Sequence, residues 1–332
     1  MTPVTRQLVD AIPGEVRLED ASCPMGCPRG EDPVVSAHDR INGLPGRFAV
    51  VRCSTCGLMR TNPRPTADTI GFYYPDTYPP FLVGAAPEAA PARPLAAWKQ
   101  AILRLEARFR DHSTSLPPLP PGRMVEVGCA AGWFLDQMAS QGWIVQGVEP
   151  SPVAAAAARS RGHRVHVGMV EEAPGPLLPC DLVVGWMVLE HLHRPREALQ
   201  RFRGWVRPDG WLAVSVPDAR TPLRRAFGAR WYDLHLPAHL YHFTPRTLGA
   251  LLGASGWKVE RMLWQRSIYA LVASLGSVLR ETGIAPRAGE WLFDYPNRVH
   301  RAHHILRWAG YPLAWLRLSG RMTVWARRDD GG

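Results

Sequence analysis

Two acids and two glycines at fixed spacing carry the first chemical signal in this chain. Glu126 lies in the apolar run Met124-Val-Glu-Val127, Gly128 and Gly132 bracket a tight turn, and Glu149 follows 21 residues after Gly128, closing a second apolar run. A carboxylate in that place accepts hydrogen bonds from both hydroxyls of a ribose, and glycine lets the backbone approach a bound nucleoside closely. A dinucleotide site calls for G-x-G-x-x-G, whose second glycine admits the pyrophosphate. Gly128-Cys-Ala-Ala-Gly132 lacks that triplet. Glu126 suits a pyrophosphate poorly and a cationic methionine portion well, because opposite charges attract. The residues favour S-adenosylmethionine over a dinucleotide.

Two further groups of side chains can do chemistry. Cys23-Pro-Met-Gly-Cys27 and Cys53-Ser-Thr-Cys56 present four thiols in two short turns. Four thiolates are expected to hold tetrahedral zinc, with every position filled and none open to water, so the metal would be structural. The alternatives are a reduced, metal-free pair of turns or a redox pair. Histidines supply the second group. His191 follows an apolar run that reads as a strand, in the place where doubly wound sheets put their ligands, and is the first choice for a general base, with Glu190 orienting it. His235, His239 and His242 are spaced by four and three residues, which on a helix would align them for a metal. Pro237 argues against a regular helix there. His239, then His242, is expected to line the acceptor pocket.

These residues need elements to position them. From Arg123 onward strand and helix patterns alternate: strands over 123–127, 143–149, 164–167, 180–186, 210–216 and 257–264, helices over 132–141, 152–161, 195–206 and 245–255. That alternation implies a Rossmann-like, doubly wound, mostly parallel α/β sheet. Arg321–Arg327 reads as a seventh strand at the sheet edge, and Pro208-Asp-Gly210 as a turn before the fifth. Residues 265–319 form a helical, Trp- and Arg-rich insertion. Residues 1–83 read as a small zinc-ribbon-like domain with a strand over Phe48–Cys53. Residues 84–122 comprise an Ala/Pro-rich linker (84–94), a helix with apolar spacing from Leu95 to Arg110, and a Pro-rich boundary at 116–122. The last 210 residues, 123–332, are the main α/β domain.

The stretch over residues 120–264 resembles the class I S-adenosylmethionine-dependent methyltransferases. Asp181-Leu-Val-Val-Gly-Trp-Met-Val-Leu-Glu-His191 resembles the fourth strand and following loop of the branch that contains quinone-biosynthesis and sugar methyltransferases. Val206-Arg-Pro-Asp-Gly-Trp-Leu212 looks like its turn into the fifth strand, and Leu236–Thr244 like a segment before its last helix. Gly168-Met-Val-Glu171 matches the loop that meets adenine. The resemblance implies a cofactor role for Glu126, Gly128, Cys129, Ala130, Gly132, Glu149, Pro150, Met169, Val170 and Trp186. Ala130 stands where the family more often has glycine. Cys56-Gly-Leu-Met-Arg-Thr-Asn-Pro-Arg-Pro65, with Tyr73, Tyr74 and Tyr78 beyond it, resembles an N-terminal zinc-binding domain that precedes sugar C-methyltransferases. That implies a small domain covering the mouth of the site and helping to bind the acceptor.

Composition narrows the partners. The chain has 332 residues, 46% hydrophobic and 20% charged, with a net charge of +10 carried almost wholly by arginine; lysine occurs only at Lys99 and Lys258. A sizeable core is expected. No lysine-rich run or basic-aromatic platform points to nucleic acid, and no Asn-Pro-Pro-Tyr-like base-binding motif occurs, so an RNA methyltransferase is the third reading. A non-catalytic S-adenosylmethionine-binding or scaffold module is the second. The first is an enzyme acting on an O or C acceptor of a small molecule, sugar or lipid-linked glycan. The N-terminus has no apolar signal core and no run reaches the roughly 18 apolar residues of a spanning helix, so a cytoplasmic setting is expected. Residues 298–318 have two readings: an interfacial helix pair on an anionic membrane, or a helical lid or dimer surface, the latter favoured.

Overall fold

The computed structural model describes residues 12–75, 112–295 and 310–331. The expected linker at 84–94, the helix at 95–110, Tyr78 and residues 298–309 lie outside them. The N-terminal part contains β1 (Leu18–Glu19), β2 (Glu31–His38), β3 (Arg47–Cys53), β4 (Met59–Thr61) and β5 (Arg64–Pro65). β3 forms where the sequence places β-branched and aromatic residues in a row, and Phe48, Val50 and Met59 pack with Tyr73 into a small core. That core is completed by Trp231, Leu234 and Leu236, which lie far along the chain.

The main sheet alternates as expected: β6 (Arg123–Val127), α1 (Trp133–Ala139), β7 (Ile144–Glu149), α2 (Pro152–Ser160), β8 (Arg164–Val167), β9 (Cys180–Trp186), α3 (Pro195–Trp205) and β10 (Val206–Pro217). After α4 (Pro222–Phe227) come β11 (Tyr241–His242), α5 (Pro245–Ala254), β12 (Trp257–Trp264), α6 (Tyr269–Thr282), α7 (Pro286–Phe293) and β13 (Arg321–Arg328). Helix starts follow local chemistry. Proline occupies the first turn of α2, α3 and α5, where its missing N–H is harmless, and Ser151 and Thr244 cap α2 and α5.

The seven strands lie in the order β12-β13-β10-β9-β6-β7-β8, with β10, β9, β6, β7 and β8 parallel. The order reverses at β6, so the crevice for a ligand opens beyond the carboxyl ends of β6 and its neighbours. Two expectations are corrected. β13 is not an edge strand. It lies between β10 and β12, antiparallel to both, and its side chains from Met322 to Ala326 are buried. Pro208-Asp-Gly210 is not a turn before β10 but a bulge within it: the register shifts between Val206 and Trp211, and Asp209 takes a φ of 61°. Among the described residues, no helix is long and apolar enough to cross a membrane.

β11 belongs to a different sheet. It pairs antiparallel with β4, Tyr241 opposite Arg60 and His242 opposite Met59, giving the order β11-β4-β3-β2. The segment that carries His235, His239 and His242 is thus built into the N-terminal sheet. Its other end is tied to the main sheet by Arg321, whose guanidinium reaches the buried Asp233 carboxylate at 2.7 Å. Removing one partner of a buried ion pair leaves the other uncompensated. Asp233→Ala should lower unfolding free energy by about 3 kcal/mol or more in urea titrations. An unchanged midpoint would mean the pair is not what holds this segment.

Candidate active site

The turn after β6 runs through Gly128 at φ 70°, Ala130 at φ 45° and Gly132 at φ 85°. Gly128 is required twice over. Its φ is in the left-handed region, and a Cβ there would stand 2.6 Å from Val188 Cγ2. Ala130 holds a left-handed conformation without glycine's freedom, which accounts for glycine being the commoner residue there in the class it resembles. The Glu149 carboxylate fixes the turn: Ala130 N donates to Oε2 at 2.9 Å and Ser151 N to Oε1 at 2.8 Å. Each oxygen keeps a lone pair for a further donor. Burial raises the Glu149 carboxyl above its usual range, against these two N–H donors. Glu126 is also buried, and its Oε2 has no hydrogen-bond partner among the described residues. Burial, and then the nearby Glu149, push its carboxyl well up. The Glu149 carboxylate, with a lone pair left on each oxygen, fits the ribose of S-adenosylmethionine, and Glu126 is buried nearby with an orphaned oxygen.

A cavity of about 360 Å³ opens here. Of the residues expected from sequence, Gly128, Ala130, Glu149, Pro150, Met169, Val170, Trp186 and His191 line it. Glu126, Cys129 and Gly132 do not. The Cys129 side chain points away into the sheet, where a Cβ on Gly147 would meet its Sγ at 2.4 Å. Gly132 caps α1 instead. Tyr74, which the sequence noted only as part of a tyrosine-rich stretch, enters the same wall, as does His193.

The histidines do not act as one helical face. His235 takes a left-handed φ of 37° and ends a short 3-10 turn. The rings of His191 and His239 lie 4.7 Å apart, those of His235 and His239 also 4.7 Å apart. His242 stands apart, fully buried in β11 with Nε2 3.4 Å from the Thr61 hydroxyl, in a joint between sheets rather than in the cavity. His191 Nδ1 lies 3.0 Å from Ala238 O and 2.8 Å from the Tyr74 hydroxyl. A carbonyl can only accept, so Nδ1 carries the proton and Nε2 keeps the lone pair. His239 Nδ1 donates to Asp233 O at 2.8 Å with the same consequence. Burial pushes His191 down to about 4 and His239 well below its usual value. Glu190 is fully buried, and burial pushes its carboxyl up to about 8.

The four cysteines of the N-terminal part come together, all within 4.8 Å of one another and none in a disulfide. Cys23 and Cys56 are 3.6 Å apart. A tetrahedron with metal–sulfur arms of about 2.3 Å has edges of roughly 3.8 Å, so the cluster fits such an ion. Gly26 at φ 72° takes up the extra residue of the first turn, and Gly57 at φ 79° closes the second.

The methyltransferase-domain family matches residues 94–261, just over half of the chain. The chain belongs to that family. It is an S-adenosylmethionine-dependent methyltransferase. It is similar to a ubiquinone biosynthesis O-methyltransferase of Azorhizobium caulinodans, 30% identical over 48% of this chain and 67% of that protein. A trans-aconitate 2-methyltransferase of a Mycobacterium strain is 27% identical over 57% and 67%. The matches to Rhodopseudomonas palustris ubiquinone biosynthesis O-methyltransferases span less than half of those proteins, 45%. Among solved structures, the [4+2]-cyclase SpnF is 21% identical, with 81% of this chain and 98% of that one covered at a TM-score of 0.49.

In this methyltransferase the turn leaves no room for change at Gly128. Gly128→Ala should force Val188 out of the cavity wall and weaken S-adenosylmethionine binding at least about tenfold by calorimetry, as one to two kcal/mol of strain implies. Wild-type affinity in a folded variant would refute the close approach.

Proposed function

We propose that this methyltransferase moves its methyl group to an oxygen or carbon of a small molecule, a sugar or a lipid-linked glycan. The observation that carries the reading is that His191, with its proton fixed on Nδ1, lines the same cavity as Glu149. S-adenosylmethionine supplies a sulfonium-bound methyl group. Glu149 accepts from the ribose hydroxyls, and Met169, Val170 and Trp186 form the apolar wall. In-line displacement asks the chain mainly to hold the acceptor in position, an effect worth about 7–11 kcal/mol. An O or C acceptor must also lose a proton, and this is promoted at His191, whose Nε2 lone pair is available. Tyr74 holds the other side of that ring. The name of the Azorhizobium relative gives an oxygen acceptor, which favours the oxygen branch of the proposal. Exposed Trp315 and Leu316 beside Arg317 support a peripheral contact that would suit a lipid-linked acceptor.

His191→Ala should lower kcat about 100-fold or more, the usual size of a lost acid–base group, while S-adenosylmethionine affinity stays within threefold of wild type. The acceptor is found by incubating host extract with labelled cofactor and separating lipid, glycan and RNA fractions. Label in RNA alone, or none in any fraction with active enzyme and bound cofactor, would overturn the acceptor class.

The four-cysteine cluster is proposed to hold a structural zinc ion. Because β11 is part of the N-terminal sheet, loss of that ion should reach the acceptor side and spare the donor side. Cys56→Ser should lose zinc by elemental analysis, raise hydrogen exchange over residues 12–75 and 231–242, and abolish turnover with cofactor binding retained. Equal loss of cofactor binding would contradict this division.

A further inference from the structure

Glu190 is left unexplained by a histidine acting alone. It is 0% exposed, and among the described residues neither carboxylate oxygen has a hydrogen-bond partner. A buried polar group without a partner is a standing penalty that a fold tolerates only for a reason. The nearby imidazoles cannot satisfy it as donors. Both His191 and His239 carry their proton on Nδ1, donated to the carbonyls of Ala238 and Asp233, so neither has an Nε2 proton to offer. Arg321 is engaged with Asp233. What the three residues do share is proximity: Glu190, His191 and His239 each present a ligand atom, all within 4.8 Å of one another.

We propose that Glu190, His191 and His239 form a divalent-cation site that binds the oxygen of the methyl acceptor. An imidazole tied through Nδ1–H to a backbone carbonyl, with Nε2 free, is the way metal-ligating histidines are held in orientation. Neutral imidazole is the ligating form, and the Nδ1–H given to a carbonyl leaves Nε2 as the ligating atom of each ring. Two nitrogens and a carboxylate suit Mn²⁺, Fe²⁺, Co²⁺ or Zn²⁺ and leave positions open, in contrast to the closed, all-sulfur cysteine cluster. His191 also lines the cavity, so an ion held by it faces the cofactor side. An acceptor hydroxyl bound to such an ion ionises near neutral pH. Its O–H bond breaks, the proton passes to water, and the electron pair stays on the cation-bound oxygen. The site rests on the methyltransferase reading and deepens it: the acceptor class becomes one with a hydroxyl or enolisable carbonyl oxygen at the reacting centre.

The test uses the full chain with its cysteine cluster loaded with zinc, titrated with Mn²⁺ and read by the electron paramagnetic resonance of free Mn²⁺. One Mn²⁺ per chain is expected, weakened at least tenfold in Glu190→Gln and in His239→Ala, with zinc content unchanged in both. Circular dichroism establishes that each variant is folded; if Glu190→Gln is not, His239→Ala decides. Absence of saturable Mn²⁺ binding, or binding unaltered in a folded variant, overturns the site. So does full turnover after the second metal has been stripped and zinc retained, which would leave His191 as a metal-free base. S-adenosylmethionine calorimetry on the same samples reports separately on the methyltransferase reading, since the Mn²⁺ count does not depend on it.

Discussion

The geometry of the histidine cluster depends on how residues 231–242 are clamped. This segment has no regular structure of its own beyond a 3-10 turn and two residues of β11, so its histidines depend on outside partners as well as on bonds within it, such as His239 Nδ1 to Asp233 O. From one side, Thr61 donates its hydroxyl to His239 O at 2.7 Å and its N–H to Leu240 O at 2.9 Å, while β4 pairs with β11. From the other, Leu240 N donates to Glu190 O at 2.8 Å, and Arg321 holds Asp233. A third restraint comes from the insertion, where Ser274 of α6 accepts from Tyr232 N at 2.9 Å. The N-terminal sheet, the loop after β9, the start of β13 and the insertion therefore meet on one irregular segment. A chain that bound only the cofactor would need none of them.

Burial does the electrostatic work on both halves of the site. Glu126, Glu149 and Glu190 are carboxyls withdrawn from water beyond what their protein partners offset, and burial pushes each of them up. The same dryness pushes His191, His235, His239 and His242 down, because it disfavours whichever form is charged. Uncharged histidines beside protonation-prone acids form a site that gains from receiving a cation. In the proposed function that cation is the sulfonium cofactor beside Glu149, and the same imbalance recurs around Glu190.

The sequence revealed what is set by neighbours along the chain. The alternation from Arg123 onward was legible because helix and strand periods are local, and the observed elements agree with it to within a few residues at most ends. Glu149 was legible because a strand-helix-strand unit fixes its distance from Gly128. What was hidden depends on pairing between distant segments. That β13 inserts between β10 and β12 is a choice of hydrogen-bond partners, and a buried strand reads the same as an edge strand when both are short and apolar. The split of the histidines had the same origin. Spacing grouped His235, His239 and His242, whereas the structure joins His239 to His191, 48 residues earlier, and gives His242 to the N-terminal sheet. Tyr74 was signalled only through the resemblance of the N-terminal part to a domain that covers the site; its contact with His191, which spans 117 residues, was not legible.

That contrast bears on how acceptor specificity is built. Most of the donor half is made of strand ends and turns within one continuous stretch, residues 127–188, where a change meets closely packed neighbours, as a Cβ at Gly128 would meet the Val188 side chain. In the proposed function the acceptor half draws Tyr74 from the N-terminal part, His191 from the loop after β9 and His239 from the clamped segment, none of which shares a regular element with another. Surfaces assembled from independent segments can be reshaped one segment at a time without disturbing the sheet that holds the cofactor. The family match ends at residue 261, and Tyr74 lies before its start at residue 94. Under the proposed function, what distinguishes this acceptor from those of the relatives is to be sought where the N-terminal sheet closes on residues 231–242 and Tyr74 meets His191.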